Sequence, residues 1–363
     1  MDERPAVGHV NLDDNASWQV LDSQGLLAMG EDFPEQCREG LRIGDEAELG
    51  PEYAQVPDAL VVVGMGGSAI GGDLFARMFE EALPVPVHVV RYYELPSFVG
   101  ERTLVITCSY SGDTEEVLAA YDQAIARGAR VIAITSGGKL EARSLGHHTA
   151  LIKVPGGRPP RAAIGYMLMP LVSLATRLGL VPPIDRERQE MLELLEQQAA
   201  SFRRQVPVAG NRAKQVAREL HGHFPLVYAT SPFLRPVAFR WQTELNENSK
   251  VLALSHELPE LNHNEVVGWE QGLDLVVRPV FIFLATPHDH PRVQARVQIT
   301  KELIGDRAPV HVELAAGESL PAQIVTAMYL GDMASLYLAF LNGVDPYLIK
   351  PINYLKQRLA EIG

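Results

Sequence analysis

Short apolar runs that do not alternate, each closed by a glycine or hydroxyl cluster and followed by a helical pattern, recur along this chain. Residues 59–64 are the first, with Leu60-Val61-Val62-Val63 reading as a strand buried on both faces. Residues 87–91, 103–108, 130–135 and 150–154 repeat the pattern, with helices predicted over 72–80 and 114–127. An acidic stretch, 1–55, precedes them and carries a helical arm. An apolar helix is expected over 164–178. Pro182 and Pro183 close it, and a charged amphipathic helix follows over 186–205. The rhythm then resumes, with strands at 226–230, 251–254, 280–285 and 310–314. Helices are expected at 211–221, 232–247, 292–304, 321–341 and 346–359. Strands alternating with helices imply parallel sheets covered on both faces. The fold class is therefore α/β, with two doubly wound αβα domains. The boundaries are 1–155, a helical connection over 156–205, and 206–363.

Composition narrows the function classes. Of 363 residues, 47% are hydrophobic and 21% charged, as expected of a soluble globular protein with two cores. No apolar run is read as long enough for a membrane span, and Met1-Asp2-Glu3-Arg4-Pro5 is not a signal peptide. Two cysteines, Cys37 and Cys108, are too few for a disulfide framework. A cytoplasmic location is the expectation. The net charge of −13 argues against a nucleic-acid surface. It leaves room for a phosphorylated metabolite held by N–H and hydroxyl donors.

Two loops carry candidate chemistry. Gly64-Met65-Gly66-Gly67-Ser68 follows the first strand, and Ser109-Tyr110-Ser111-Gly112-Asp113-Thr114 follows the third. Strand, small-residue loop and helix N-terminus together offer free N–H groups and the positive end of a helix dipole to an anion. The hydroxyls are also favoured helix caps. Four of them, Ser68, Ser109, Ser111 and Thr114, on two loops rich in glycine favour a phosphate cradle, with Gly67 supplying backbone. No Walker motif occurs, and a second hydroxyl-rich loop is foreign to the dinucleotide fingerprint. His147-His148 and His288-Asp289-His290 lack the spacing to gather three metal ligands.

The paired loops resemble the sugar-isomerase (SIS) domain. Along nearly the whole chain the sequence is similar to the bifunctional phosphoglucose/phosphomannose isomerase family, which carries two such domains. Beyond the loops, the resemblance rests on Pro160-Arg161-Ala162-Ala163, Glu244-Leu245-Asn246-Glu247-Asn248-Ser249-Lys250, Asn262-His263-Asn264-Glu265 and Ile352-Asn353-Tyr354-Leu355-Lys356. It implies an aldose–ketose isomerase of central sugar metabolism, serving glycolysis and gluconeogenesis without a metal or organic cofactor.

In the roles the resemblance implies, Glu247 shuttles a proton between C1 and C2. His263 and Lys356 assist ring opening, and Arg161 faces the negative enediolate. His263 is expected to reach the partner subunit's site, so a homodimer is expected, with no nucleic-acid or membrane partner. Tyr347 stands where relatives often have a small hydroxyl residue or proline, which bears on acceptance of mannose 6-phosphate. The rival reading is a non-catalytic phosphosugar sensor, which would need the loops but no base.

Overall fold

Buried apolar central strands, β-branched in the first sheet and richer in Phe and Leu in the second, set both sheets of the computed structural model, which describes residues 10–362. In chain order the early elements are α1 (Leu26–Glu31), α2 (Phe33–Glu46), β1 (Ala59–Val63), α3 (Gly66–Met78), β2 (Val87–Val90), β3 (Thr103–Cys108) and α4 (Glu115–Ala126). Then come β4 (Arg130–Thr135), α5 (Gly138–His147), β5 (Ala150–Lys153), α6 (Ile164–Arg177), α7 (Asp185–Phe202) and α8 (Arg212–Leu220). The remainder comprises β6 (Phe224–Ala229), α9 (Arg235–Glu247), β7 (Leu254–Glu257), α10 (Glu265–Gly272), β8 (Pro279–Ala285), α11 (Pro291–Ile304), β9 (Val310–Leu314), α12 (Leu320–Leu341) and α13 (Lys350–Ala360).

The chain divides into two units. One holds Asp32–Glu196 with Ala316–Val325; the other holds the described residues up to Glu31, Gln197–Ala315 and 326–362. In the first unit a five-stranded parallel sheet runs β2-β1-β3-β4-β5. The chain leaves β1 toward one edge and returns across it to β3, so the topological switch lies between β1 and β3. One layer of core joins Val61, Val63, Val105, Val117, Tyr121, Val131 and Leu140. The apolar helix α6 is buried along nearly its whole length and packs on α2. There Gln36 donates to Ala162 O (2.8 Å) and accepts from Gly165 N (2.6 Å).

The other unit repeats the order as β7-β6-β8-β9, all parallel, with the switch between β6 and β8. Its core gathers Tyr228, Leu261, Trp269, Phe281, Phe283 and Ile304. Residues near the N-terminus are stitched into this unit. Trp18 stacks on Phe340 at 4.6 Å, and Lys214 Nζ donates to Leu12 O (2.7 Å) and Arg204 O (2.9 Å).

Four expectations are corrected. The helix after β1 begins at Gly66, not 72. The glycines read as loop are helical, and Gly72 is where α3 touches the sheet: a Cβ there would lie 2.8 Å from Val62 Cγ1. Strand β7 begins three residues later than predicted, because residues 248–253 fold back onto α9. Val251 N bonds Leu245 O (3.2 Å), and Ala253 N bonds Asn246 Oδ1 (3.0 Å). The C-terminal helix begins at Lys350 rather than 346. Finally, α12 is long and apolar enough to cross a membrane by length and composition, with mean hydropathy 1.5. With 89% of that window buried, it is a core helix.

Candidate active site

The first unit concentrates hydroxyls and helix N-termini at its switch point. Strand β1 is followed by Gly64, where a Cβ would come within 2.8 Å of Ala69 N, so only glycine lets the chain turn this sharply into α3. Ser68 therefore sits in the first turn of α3, buried, and its Oγ accepts from Tyr110 N at 3.4 Å. Thus the two loops meet. On the second loop, Ser109 Oγ contacts Thr114 Oγ1 (2.9 Å) and accepts from Gly112 N (3.1 Å). Ser111 is exposed, and its Oγ accepts from Asp113 N (3.4 Å). Thr114 is the N-cap residue of α4, yet its side chain makes no capping bond, and Met65 caps α3 without one either. Neither helix N-terminus thus carries a side-chain cap, an arrangement that suits an anion.

Arg161 is brought to the same place. Gly67 faces the Pro160–Arg161 segment so closely that a Cβ would lie 3.0 Å from Pro160 O and 3.5 Å from Arg161 Cα. Arg161 is itself buried. Tyr110, a residue the sequence analysis passed over, joins the parts. Its hydroxyl donates to Pro155 O (2.9 Å) and accepts from Arg158 N (3.2 Å), while its amide reaches Ser68. Six of the expected residues, Gly67, Ser68, Ser109, Ser111, Thr114 and Arg161, are thus neighbours around one strand edge.

The other unit answers differently at its own switch point. Thr230 follows β6 and the 286–290 turn follows β8. Between them lies the buried carboxylate of Asp289, which meets the Thr230 hydroxyl and accepts from Thr286 N (3.2 Å). The loop donors there already serve an anion of the chain's own. His290 begins α11 as its N-cap, accepting from Arg292 N (3.1 Å).

The remaining candidates stand on three elements of this second unit. Glu247 is the last residue of α9 and half-buried. His263 ends a short 3-10 helix, Glu260–His263, and is exposed. Lys356 lies on α13 and is exposed. The turn after Glu247 is held by Lys250, whose backbone is left-handed (φ 57°) and whose ammonium donates to the carbonyls of Glu247, Asn248 (3.3 Å) and Pro346 (3.4 Å). One and two turns before Glu247 lies a buried charged cluster, Arg240, Glu244 and Asp332, of which the sequence analysis singled out only Glu244, within the motif around Glu247. The signal for it was Asp332, the single charged residue in α12.

This chain is similar to known proteins in sequence and in fold. Residues 55–166 match the SIS domain family, and residues 209–359 match the bacterial phospho-glucose isomerase C-terminal SIS domain. The bifunctional phosphoglucose/phosphomannose isomerase of Caldicellulosiruptor bescii is 39% identical over 91% of this chain and 97% of its own. Its namesake from Thermoplasma volcanium is 36% identical over 84% and 92%. Among solved structures, a hypothetical protein from Thermus thermophilus shares the fold (TM-score 0.72, 17% identity, 94% of this chain and 91% of that one). With such identity along nearly its full length, the chain belongs to the bifunctional phosphoglucose/phosphomannose isomerase family.

Proposed function

We propose that this protein interconverts glucose 6-phosphate and mannose 6-phosphate with fructose 6-phosphate through an enediolate, as a cytoplasmic homodimer serving glycolysis and gluconeogenesis. The observation that carries the reading is the hydroxyl and amide cradle between β1 and β3, joined to Arg161 through Gly67. Ser68, Ser109, Ser111, Thr114 and the Gly67 amide hold the phosphate. His263, contributed across subunits, and Lys356 assist ring opening. The Glu247 carboxylate then takes the C2 proton, and the electron pair of that C–H bond forms the C1=C2 bond as O1 becomes anionic. Glu247 returns the proton to C1 while the O2 proton passes to O1, leaving the ketone at C2. Arg161 offsets the enediolate charge, a term that electrostatic preorganisation makes large. The two C2 epimers share one enediolate, so accepting both requires rotation about C2–C3.

The test is turnover of fructose 6-phosphate by chelator-treated protein, with glucose 6-phosphate and mannose 6-phosphate detected separately. Both products are expected. Glu247→Gln should lower kcat by about 10²–10⁴-fold, the usual contribution of a positioned base, while fructose 6-phosphate still raises the melting temperature. Thermal stabilisation of the wild-type protein without product would leave a phosphosugar sensor instead.

A further inference from the structure

Arg240, Glu244 and Glu247 fall at i, i+4 and i+7, one face of α9. Arg240 is 2% exposed. Its Nε donates to Asp332 Oδ1 (2.9 Å) and its Nη2 to Asp332 Oδ2 (2.8 Å), a two-point clamp from α12. Its Nη1 lies 3.1 Å from Glu244 Oε1. Burial disfavours the charged guanidinium, but Asp332, Glu244 and, more weakly, Glu247 outweigh it and raise its pKa. Burial likewise raises the Asp332 carboxyl, against the pull of Arg240. Two carboxylates therefore contact one buried cation, with Glu247 one turn beyond Glu244 and Lys250 as the charge from the following turn.

Further bonds tie α9 and the turn after it to α12 and to Glu244. Trp241 Nε1 donates to Ala327 O (2.9 Å), against Gly331, where a Cβ would overlap the indole. Asn248 Nδ2 donates to Glu244 Oε2 (2.8 Å) and Ser335 Oγ (2.9 Å). Ser249 Oγ donates to Ser335 O (2.6 Å). A buried ion pair of this kind is a poor source of stability, since an apolar replacement often does as well. Its place one and two turns before Glu247 calls for another role.

We propose that Arg240 and Asp332 are positioning residues for Glu247. The Asp332-clamped guanidinium fixes the end of α9, and its partly cancelled charge sets the field in which Glu247 takes and returns the proton. Alone, a buried cation two turns earlier on the same helix would favour Glu247 as a carboxylate and weaken it as a base; Asp332 and Glu244 offset that pull. The proposal rests on Glu247 being the base.

Asp332→Asn and Arg240→Lys, each in the full chain, test it. Asn keeps the shape and an acceptor but removes the opposing charge. For Asp332→Asn, kcat should fall about tenfold, the scale of one pH unit in proton affinity, with KM within about twofold. The acidic limb of the kcat–pH profile should move to lower pH. Lys keeps the charge but not the fork, so Arg240→Lys should lower kcat while leaving that limb in place. Should Asp332→Asn fail to unfold cooperatively, the kcat-against-KM split of Arg240→Lys decides alone. Wild-type kcat and limb in both variants would overturn the proposal. So would a loss of kcat that only follows a loss of melting temperature, with the limb unmoved. Undiminished turnover by Glu247→Gln would instead remove the base itself. That outcome is distinct from an inactive Glu247→Gln beside a normal Asp332→Asn.

Discussion

Single side chains divide into those that would hold substrate and those that hold each other. Ser111 accepts a bond from its own loop at 3.4 Å, which leaves its hydroxyl proton to a phosphate, while Ser109 and Thr114, 2.9 Å apart, use one hydroxyl proton between them and leave the other to the anion. Replacing both serines by alanine should raise KM for fructose 6-phosphate on the order of tenfold or more, as hydrogen bonds to a charged group carry about 1.5–3 kcal/mol each. The kcat should change far less, and steady-state kinetics read both; an unchanged KM would argue against the cradle. Cys108 lies at the end of β3 with no exposure, and burial pushes its thiol up to about 12. At pH 8 it is almost wholly protonated, and the thiolate is the reactive form. Cys37 is equally buried. Ellman's reagent should therefore find both thiols inert in the folded protein and both reactive in denaturant; rapid native labelling would show the β3 loop opening. The candidate cradle residues could be picked out in sequence because hydroxyls and glycines cluster locally on two loops. Arg240 and Asp332 could not, because their meeting depends on two helices 92 residues apart.

At the scale of elements, uniformly apolar strands could be read almost to the residue, since a strand buried on both faces tolerates little else. Helix α3 could not, because Gly71-Gly72 reads equally as a loop or as a close helix–sheet contact. Strand β7 was displaced by bonds back to α9, which no periodicity encodes. The two sheets share the order of their first four strands, yet one switch point presents hydroxyls while the other is met by Asp289. Equal topology thus does not make equal sites. Two glycines of the first site test how closely its elements must approach. Gly112 has φ 74°, and a Cβ there would overlap Gly137 O. Gly112→Ala should cost at least about 1–3 kcal/mol in backbone strain alone and lower the melting temperature. Gly67→Ala should instead spare stability, because alanine gains up to about 1 kcal/mol in a helix. Its methyl would press on Pro160 O and displace Arg161, so kcat/KM should fall. Differential scanning calorimetry beside turnover separates the two cases; the reverse pattern would mean that Gly67 is structural and Gly112 is not.

Across the whole molecule, the proposed residues divide by unit. Gly67, Ser68, Ser109, Ser111, Thr114 and Arg161 belong to one, while Glu247, His263 and Lys356 belong to the other. His263 is exposed at the end of its short helix, a place from which a side chain is free to serve another subunit. The proposal that it does so can be separated from a role within its own chain by mixing two inactive variants. Glu247→Gln lacks the base and keeps the histidine, and His263→Ala has the opposite defect. Each homodimer would be inactive. In a dimer formed from one of each, a site that takes Glu247 from one chain and His263 from the other is complete, and its twin lacks both. After co-refolding at equal amounts, half the dimers are mixed and each carries one complete site, so about a quarter of wild-type turnover should return. If His263 acts within its own chain, every site in every dimer lacks one group and no activity returns. Sedimentation run in parallel reports whether mixed dimers exist. A quarter of the activity together with a dimer would establish the shared site, whereas an active monomer would refute it.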